Sequence, residues 1–244
     1  ASGVLNIASI SSVFDKKLYK PLAPLSALLA MAFLIAGLAI LVLDLGRPDR
    51  LIVAMTTYNF KSIFAWNIFL YSGFAGILAI YIWTMLDRNV KKFSRPAGIF
   101  AFTWRIVLTT GTGSIFGFLI SREAYGTAIL APLFIIMSLL YGTVVYFLIV
   151  KAINYFQKTL FSEEIFLNLR KLTLLFLFAN LYFLILYHVT NLYISKHLEF
   201  EKFILLDGGV YTIAFWIGQV VVGLLLPLFI LFRDENKSES SLMS

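Results

Sequence analysis

The sequence predicts an all-α fold, a polytopic bundle of transmembrane helices, from three observations. Hydrophobic residues make up 60% of the 244-residue chain and charged residues only 14%, whereas soluble domains are about 45–50% apolar and about 25% charged. Six mostly apolar stretches are long enough to cross a hydrocarbon core about 30 Å thick, which takes about 20 helical residues. None of these stretches alternates polar and apolar residues as a membrane β-strand would.

The predicted spans follow these stretches and form a single transmembrane domain over residues 1–244. They cover residues 21–44, 62–86, 98–121, 128–152, 171–193 and 210–232. The apolar segment 1–14 is too short to cross the membrane, because at about 1.5 Å per residue it reaches only about 21 Å. We interpret it as a partial span, the second half of a helix, and a short helix lying in the membrane interface is the alternative.

The lysines and arginines predict the orientation of the spans. Thirteen of these 20 residues lie on the side that carries the loops after the second and fourth spans, and six lie on the other side. The positive-inside rule places the first side in the cytoplasm. The loops after the first, third and fifth spans are therefore expected to face outward from the cell membrane of a bacterium or an archaeon. This topology explains the net charge of +7 without a nucleic-acid partner.

Redox-active metal groups are not expected in this chain. The sequence contains no cysteine, and iron–sulfur clusters are held by cysteine thiolates. Its two histidines, His188 and His197, lie near the end of one predicted helix and in the loop beyond it. Two histidines so placed do not clamp a membrane b-type haem, so we predict no haem, no iron–sulfur cluster and no metal site here.

Asp44 is a carboxylate at the predicted outer end of the first span. Gly46 and Pro48 follow it and are suited to end the helix. An ionisable group at membrane depth is costly and is a candidate for function. Asp44 is therefore a candidate for proton exchange, and a structural ion pair with Arg47 at the helix end is the alternative.

The fifth span carries a polar stripe. Asn180, Tyr187 and Asn191 share one helix face, and His188 adjoins it. Histidine is the side chain best suited to exchange a proton near neutral pH, and His188 is predicted in the same leaflet as Asp44. The alternative is a histidine that only makes a polar contact with a neighbouring helix.

Three further features are first expected to be structural. Arg105, inside the third span, is expected to snorkel or to pair, and a proton path is the alternative. Gln219, in the sixth span before a Pro227 kink, is expected to hold helices together, again with a proton path as the alternative. The glycine-rich segment 111–117 is expected to pack helices closely, and a flat ligand lying against bare backbone is the alternative.

One junction resembles the NrfD/PsrC family, the membrane subunits of polysulfide reductase-type complexes. Its residues are Asp44-Leu45-Gly46-Arg47-Pro48, followed by Tyr58-Asn59-Phe60-Lys61-Ser62 and Trp66. Weaker similarities occur later in the expected order: residues 112–117, residues 131–134 with Ser138 and Gly142, and residues 215–227. Members of that family usually have eight or more spans, so helices missing from this chain are expected.

The resemblance implies a quinone-interacting membrane anchor subunit of a respiratory oxidoreductase, not catalytic alone. Such a subunit exchanges two electrons and two protons with a membrane quinone, here menaquinone or ubiquinone. The electrons are exchanged with a ferredoxin-like iron–sulfur subunit, which is accompanied by a catalytic subunit on the outer face. The rival interpretations are a secondary transporter or ion/proton channel, and a purely structural membrane anchor.

The expected quinone site lies in the outer leaflet, where the polar residues and the resemblance coincide. We expect Asp44 and His188 to be the catalytic proton donors. The residues expected to surround the headgroup are Arg47, Tyr58, Tyr187 and Asn191. Those expected to contact the acidic partner are Arg47, Arg50 and Lys61.

Overall fold

The structure, a computed structural model, describes residues 3–13, 22–44, 46, 51–57, 63–119, 124–157 and 161–233. All regular elements in these residues are helices, and six of the helices are long and apolar enough to cross a membrane. The predicted all-α transmembrane fold is confirmed. The helices are α1 (Asn6–Val13), α2 (Ala23–Asp44), α3 (Leu51–Thr56), α4 (Ile63–Leu86), α5 (Ser94–Gly117), α6 (Leu130–Gln157), α7 (Glu163–Tyr193), α8 (Leu198–Lys202) and α9 (Val210–Arg233).

The long helices match the six predicted spans, and the largest difference is at the start of α7. This helix begins at Glu163, whereas hydropathy placed its start at 171. Glu163 and Glu164 in its first turn suit the positive end of the helix dipole. Ile165 and Leu169 are buried against α6. Polar residues between positions 163 and 171 lower the mean hydropathy of this stretch, although one face of the helix is apolar. The predicted start of the span was therefore too late.

Helix α1 lies inside the bundle. The side chains of Leu5, Ile7 and Ala8 are fully buried, and α1 packs against α2, α5 and α6. The Ser26 hydroxyl donates a 2.6 Å hydrogen bond to the Val4 carbonyl, and the Tyr81 hydroxyl donates a 3.0 Å bond to the Ala8 carbonyl. This burial does not fit the alternative of a helix lying in the membrane interface.

The helices run antiparallel, so the bundle has two ends. We call one the Asp44 end: α2, α5 and α7 finish there, and α4, α6 and α9 start there. We call the other the basic end. Near the basic end, Tyr146 donates a 3.0 Å hydrogen bond to the Leu22 carbonyl and packs against Leu169, which joins α2, α6 and α7.

The outer surface of the bundle is apolar. Exposed side chains occur on all six long helices, among them Leu43, Trp83, Val107, Leu148, Tyr182 and Phe229. Only 11% of the last span is buried. Such a surface suits hydrocarbon as its solvent, and the protein is a multi-pass membrane protein.

The glycine-rich segment of α5 packs helices closely, as its first interpretation predicted. A Cβ atom on Gly113 would lie 2.7 Å from the Ala131 Cα of α6. A Cβ atom on Gly111 would lie 3.0 Å from a Leu70 methyl group of α4. The side chain of Thr112, between them, is left facing the space that α4 and α6 enclose.

The last span is irregular. Residues Ala214–Leu225 form a π-helical stretch, and a shorter one, Phe203–Asp207, lies just before the span. The Leu226 N–H bonds to the Val221 carbonyl, five residues back. The irregularity expected near Pro227 is therefore a widened helix that ends just before the proline. Gln219 lies half-buried inside it.

The close packing at Gly113 predicts a stability difference between two glycine variants. Gly113→Ala should lower the free energy of unfolding by about 1–3 kcal/mol, because the backbone of α6 must move. A Cβ atom on Gly76 in α4 would enter open space. Gly76→Ala should therefore leave the free energy of unfolding unchanged or raise it by about 0.5–1 kcal/mol. Thermal unfolding of both purified variants in detergent measures the difference, and equal melting temperatures would contradict this packing.

Candidate functional site

A cavity of about 320 Å³ lies between α2, α4, α5 and α6. Ligand pockets usually measure about 300–1,000 Å³, so the space is large enough for a small ring system. It lies nearer the Asp44 end, since Thr112 is close to the end of α5 and Phe134 is close to the start of α6. The lining residues are Leu34, Tyr71, Phe74, Leu108, Thr109, Thr112, Phe134, Met137, Ser138 and Tyr141.

The walls of the cavity are apolar, with a few hydroxyl groups. Thr109 and Thr112 donate hydrogen bonds of 2.9 and 3.0 Å to the carbonyls of Arg105 and Leu108 on their own helix. The Thr112 oxygen keeps lone pairs that can accept a hydrogen bond from a ligand. Tyr71 and Tyr141 make no hydrogen bond to another described residue, so their phenols are available as donors.

The cavity has a mouth at Tyr141. This side chain is 59% exposed, whereas the other lining residues are buried or half-buried. Tyr141 is an exposed residue of α6, a helix long and apolar enough to cross a membrane, so an opening beside it would give a lipid-soluble molecule a lateral route into the cavity. The arrangement can therefore hold a flat, mostly apolar molecule with oxygen atoms at its edge.

A polar network lies one helical turn from the cavity, toward the basic end. The Arg105 guanidinium is 3% exposed and donates a hydrogen bond to the Asn6 Oδ1 atom. The Asn6 amide donates bonds of 3.3 Å to the Leu139 carbonyl and 3.2 Å to the Thr143 hydroxyl. Arg105 thus pairs inside the bundle and does not snorkel, and a role for it in a proton path stays a prediction.

A second polar cluster lies between α7 and α8, and we call Glu201, His188 and Asn191 the Glu201 cluster. The fully buried Glu201 carboxylate has its Oε2 atom 2.8 Å from the His188 Nδ1 atom. Its Oε1 atom accepts a 2.8 Å hydrogen bond from the Asn191 amide. Beside the cluster, Tyr187 donates a 2.7 Å bond to the Ala124 carbonyl. The His188 ring also packs against the ring of Phe215 in α9.

The structure brings together only part of the predicted site. Tyr187, His188 and Asn191 lie side by side, but none of them lines the cavity. Asp44 is exposed at the end of α2 and makes no contact with His188 among the described residues. Gln219 does not line the cavity either. Four predicted residues lie outside the described residues: Arg47, Arg50, Tyr58 and Lys61.

Sequence reasoning missed Glu201 and the two cavity tyrosines. Glu201 follows Glu199 by two residues in the same short helix, yet Glu199 is exposed and Glu201 is buried. No pattern in the sequence separates these two acids. Tyr71 and Tyr141 lie within apolar spans and resemble ordinary membrane-facing tyrosines.

The family of this chain follows from comparison with known proteins. The family model described as polysulphide reductase, NrfD, matches residues 1–243. The chain belongs to the NrfD family. The family predicted from the sequence is therefore confirmed.

Curated relatives carry the names of reductase or oxidoreductase subunits. The chain is 30% identical over 243 residues to the Hdr-like menaquinol oxidoreductase integral membrane subunit of Archaeoglobus fulgidus, covering 97% of this chain and 60% of the relative. It is 21% identical to a selenate reductase subunit of Mesobacillus selenatarsenatis, covering 97% and 64%. It is 26% identical to a putative dimethyl sulfoxide reductase membrane subunit of Halobacterium salinarum, covering 58% and 38%.

The chain thus spans less than two thirds of the length of the relatives that it matches. No solved structure matches it.

The buried pair of Arg105 and Asn6 predicts a non-additive effect on stability. Asn6→Leu should lower the free energy of unfolding by about 1–2 kcal/mol, because the buried Arg105 guanidinium loses the Asn6 oxygen as an acceptor. The double variant Asn6→Leu, Arg105→Leu should cost less than the sum of the two single variants. The free energies of unfolding of the two single variants, Asn6→Leu and Arg105→Leu, and of the double variant are measured in detergent. Strict additivity of their effects would show that the two side chains do not interact.

Proposed function

We propose that this chain is the quinone-reactive membrane subunit of a multi-subunit respiratory oxidoreductase. The observation that carries the proposal is the cavity between α2, α4, α5 and α6, with its mouth at Tyr141. Membership of the NrfD family and a relative named as a menaquinol oxidoreductase subunit support it. We propose menaquinol, or the corresponding menaquinone, as the substrate.

The cavity has groups suited to both redox forms of a quinone. The oxidised ring has two carbonyl oxygens, which need hydrogen-bond donors, and the phenols of Tyr71 and Tyr141 supply them. The reduced ring has hydroxyls, which need acceptors, and the oxygen of Thr112 can supply one. The apolar walls at Leu34, Phe74 and Leu108 suit the ring faces and the start of an isoprenoid tail.

The redox reaction requires a partner. Oxidation of a quinol releases two electrons and two protons, and reduction of a quinone takes up the same number. The chain has no cysteine to hold an iron–sulfur cluster. We therefore place the electron acceptor or donor in a ferredoxin-like iron–sulfur subunit bound to this chain, with a catalytic subunit beyond it. The substrate of that catalytic subunit is left open.

The proposed partner binds at the Asp44 end. The excess of lysine and arginine at the basic end places that end in the cytoplasm by the positive-inside rule. The cavity then lies in the outer leaflet, on the side where Arg47, Arg50 and Lys61 are proposed to meet the acidic partner. The membrane is the cell membrane of a bacterium or an archaeon.

We propose that Asp44 acts in proton exchange at the surface and does not touch the ring. Leu34 lines the cavity, and Asp44 lies ten residues farther along α2, which is about 15 Å at the helical rise. The exposed carboxylate suits the last step of proton release to water. A purely structural anchor would have no need of a cavity with an opening on the membrane-facing surface, so the cavity counts against that alternative.

Filling the cavity should block quinone chemistry without breaking the complex. In the intact complex, Thr112→Phe should lower the rate at which quinol reduces, or quinone oxidises, the partner's redox centres by about tenfold or more, equivalent to about 1.4 kcal/mol of lost binding. Stopped-flow absorbance of those centres measures the rate. Electron transfer from a water-soluble dye, which does not use the cavity, should stay normal.

Thr103→Phe is the matched control for this experiment. Thr103 lies on the same helix and makes the same kind of hydrogen bond, 3.1 Å to the Ile99 carbonyl, but its side chain is exposed. This variant should keep the wild-type rate. If Thr112→Phe also keeps it while the complex assembles normally, the cavity is not the quinone site. Substrate flux in proteoliposomes that contain this chain alone would instead favour a transporter.

A further inference from the structure

The carboxylate of the Glu201 cluster is buried, and two hydrogen bonds stabilise its charged form. The Glu201 side chain is fully buried, and an ionised carboxylate away from water is costly unless its oxygens are bonded. The two oxygens are bonded at 2.8 Å to one imidazole and one amide. Among the described residues, its ion-pair partner is His188. The charge of the cluster therefore depends on how many protons the Glu201–His188 pair carries.

The geometry of His188 leaves one ring nitrogen for proton exchange. The Nδ1 atom is engaged by the Glu201 carboxylate, as in the carboxylate–histidine pairs of metal and catalytic sites. With the carboxylate ionised, Nδ1 carries the proton of the neutral ring. The Nε2 atom is then a bare acceptor, and it is buried without a hydrogen-bond partner among the described residues. A proton can therefore enter or leave the pair through this atom.

A second buried acceptor belongs to the same cluster. The Asn191 side chain is fully buried, and its Oδ1 atom also has no hydrogen-bond partner. Each buried acceptor left unpaired costs about 1–3 kcal/mol. Buried water molecules usually satisfy such atoms by donating their two hydrogens. A pair with a purely structural role has no need of two unsatisfied acceptors beside it.

We propose that the Glu201 cluster is a proton-binding site that exchanges its proton through bound water. A hydrated proton is transferred to the Nε2 atom of His188, and the Nδ1 proton passes to the Oε2 atom of Glu201. One proton is taken up, the water is released neutral, and the imidazole ends neutral in the other tautomer. Asn191 is a positioning residue that holds the carboxylate toward the ring.

Titratable and charged groups from several elements surround the pair. From α7, Tyr187 faces the carboxylate, and Tyr125 of the loop between α5 and α6 is near Tyr187. The turn before α8 contributes the buried His197 and the exposed Lys196, and α8 contributes the exposed Glu199 and Lys202. From α9, the Phe215 ring packs on His188 and carries no charge.

This site is separate from the quinone cavity. No member of the Glu201 cluster lines the cavity, and His188 contacts α8 and α9, which do not contribute to its walls. Both lie in the half of the bundle nearer the Asp44 end. The cluster is thus suited to store a proton and not to bind the quinone ring, and its test requires neither quinone nor partner.

Infrared difference spectroscopy of the purified full chain tests the proposal directly. Difference spectra of the wild type recorded at different pH values should contain paired carboxyl and imidazole bands that shift in deuterated water. Glu201→Gln should remove both bands, and His188→Gln should remove the imidazole band. Asn191→Leu should shift the carboxyl frequency, because one of its two hydrogen bonds is lost.

Glu199→Gln is the matched control, since it makes the same change two residues away at an exposed position. It should keep both paired bands. If the wild type shows no band that Glu201→Gln removes, the pair is fixed in one protonation state and the proposal is wrong. If Glu201→Gln does not fold, the His188→Gln and Asn191→Leu spectra decide in the same way. None of these results depends on whether the cavity binds quinone.

Discussion

The structure depends on one constraint: in a hydrocarbon solvent, every polar group at membrane depth must find its partner inside the protein. The bundle meets this constraint by joining helices through single polar side chains. Hydrogen bonds from Ser26 and Tyr81 join α2 and α4 to α1 and the segment before it. The Asn6 side chain in α1 accepts a hydrogen bond from the Arg105 guanidinium in α5. Van der Waals packing at the glycines of α5 completes the assembly, because lipid gives helices no hydrophobic reason to associate.

Among the described residues, two of the places where this constraint is not fully met are candidates for function. In the cavity, the phenols of Tyr71 and Tyr141 have no partner among the described residues. In the Glu201 cluster, the Nε2 atom of His188 and the Oδ1 atom of Asn191 are buried and unbonded. The first set suits a carbonyl-bearing ring, and the second suits water and a proton. A redox subunit that handles both electrons and protons has use for two such sites.

The sequence was sufficient for the spans and the family but not for the sites. Hydropathy finds a span because its whole surface is apolar, and it misplaced the start of α7 because polar residues at the interface interrupt the pattern. Glu201 pairs with His188 because the chain folds back against α7 after that helix ends. The local sequence does not show that Glu201 is buried while Glu199 is exposed. The cavity is formed by four helices, so no single stretch reports it. The predicted roles of Asp44 and His188 as proton donors to a quinone stay predictions.

The central claim is that a quinone occupies the space between α2, α4, α5 and α6. Photo-crosslinking of the intact complex with an azido-quinone, followed by peptide mass spectrometry, tests it most directly. The account predicts labels on α5 near Leu108–Thr112 and on α6 near Phe134–Tyr141, and competition by menaquinol should remove them. Specific, competed labels confined to α7, α8 and α9 would contradict it and would place the ring at the Glu201 cluster.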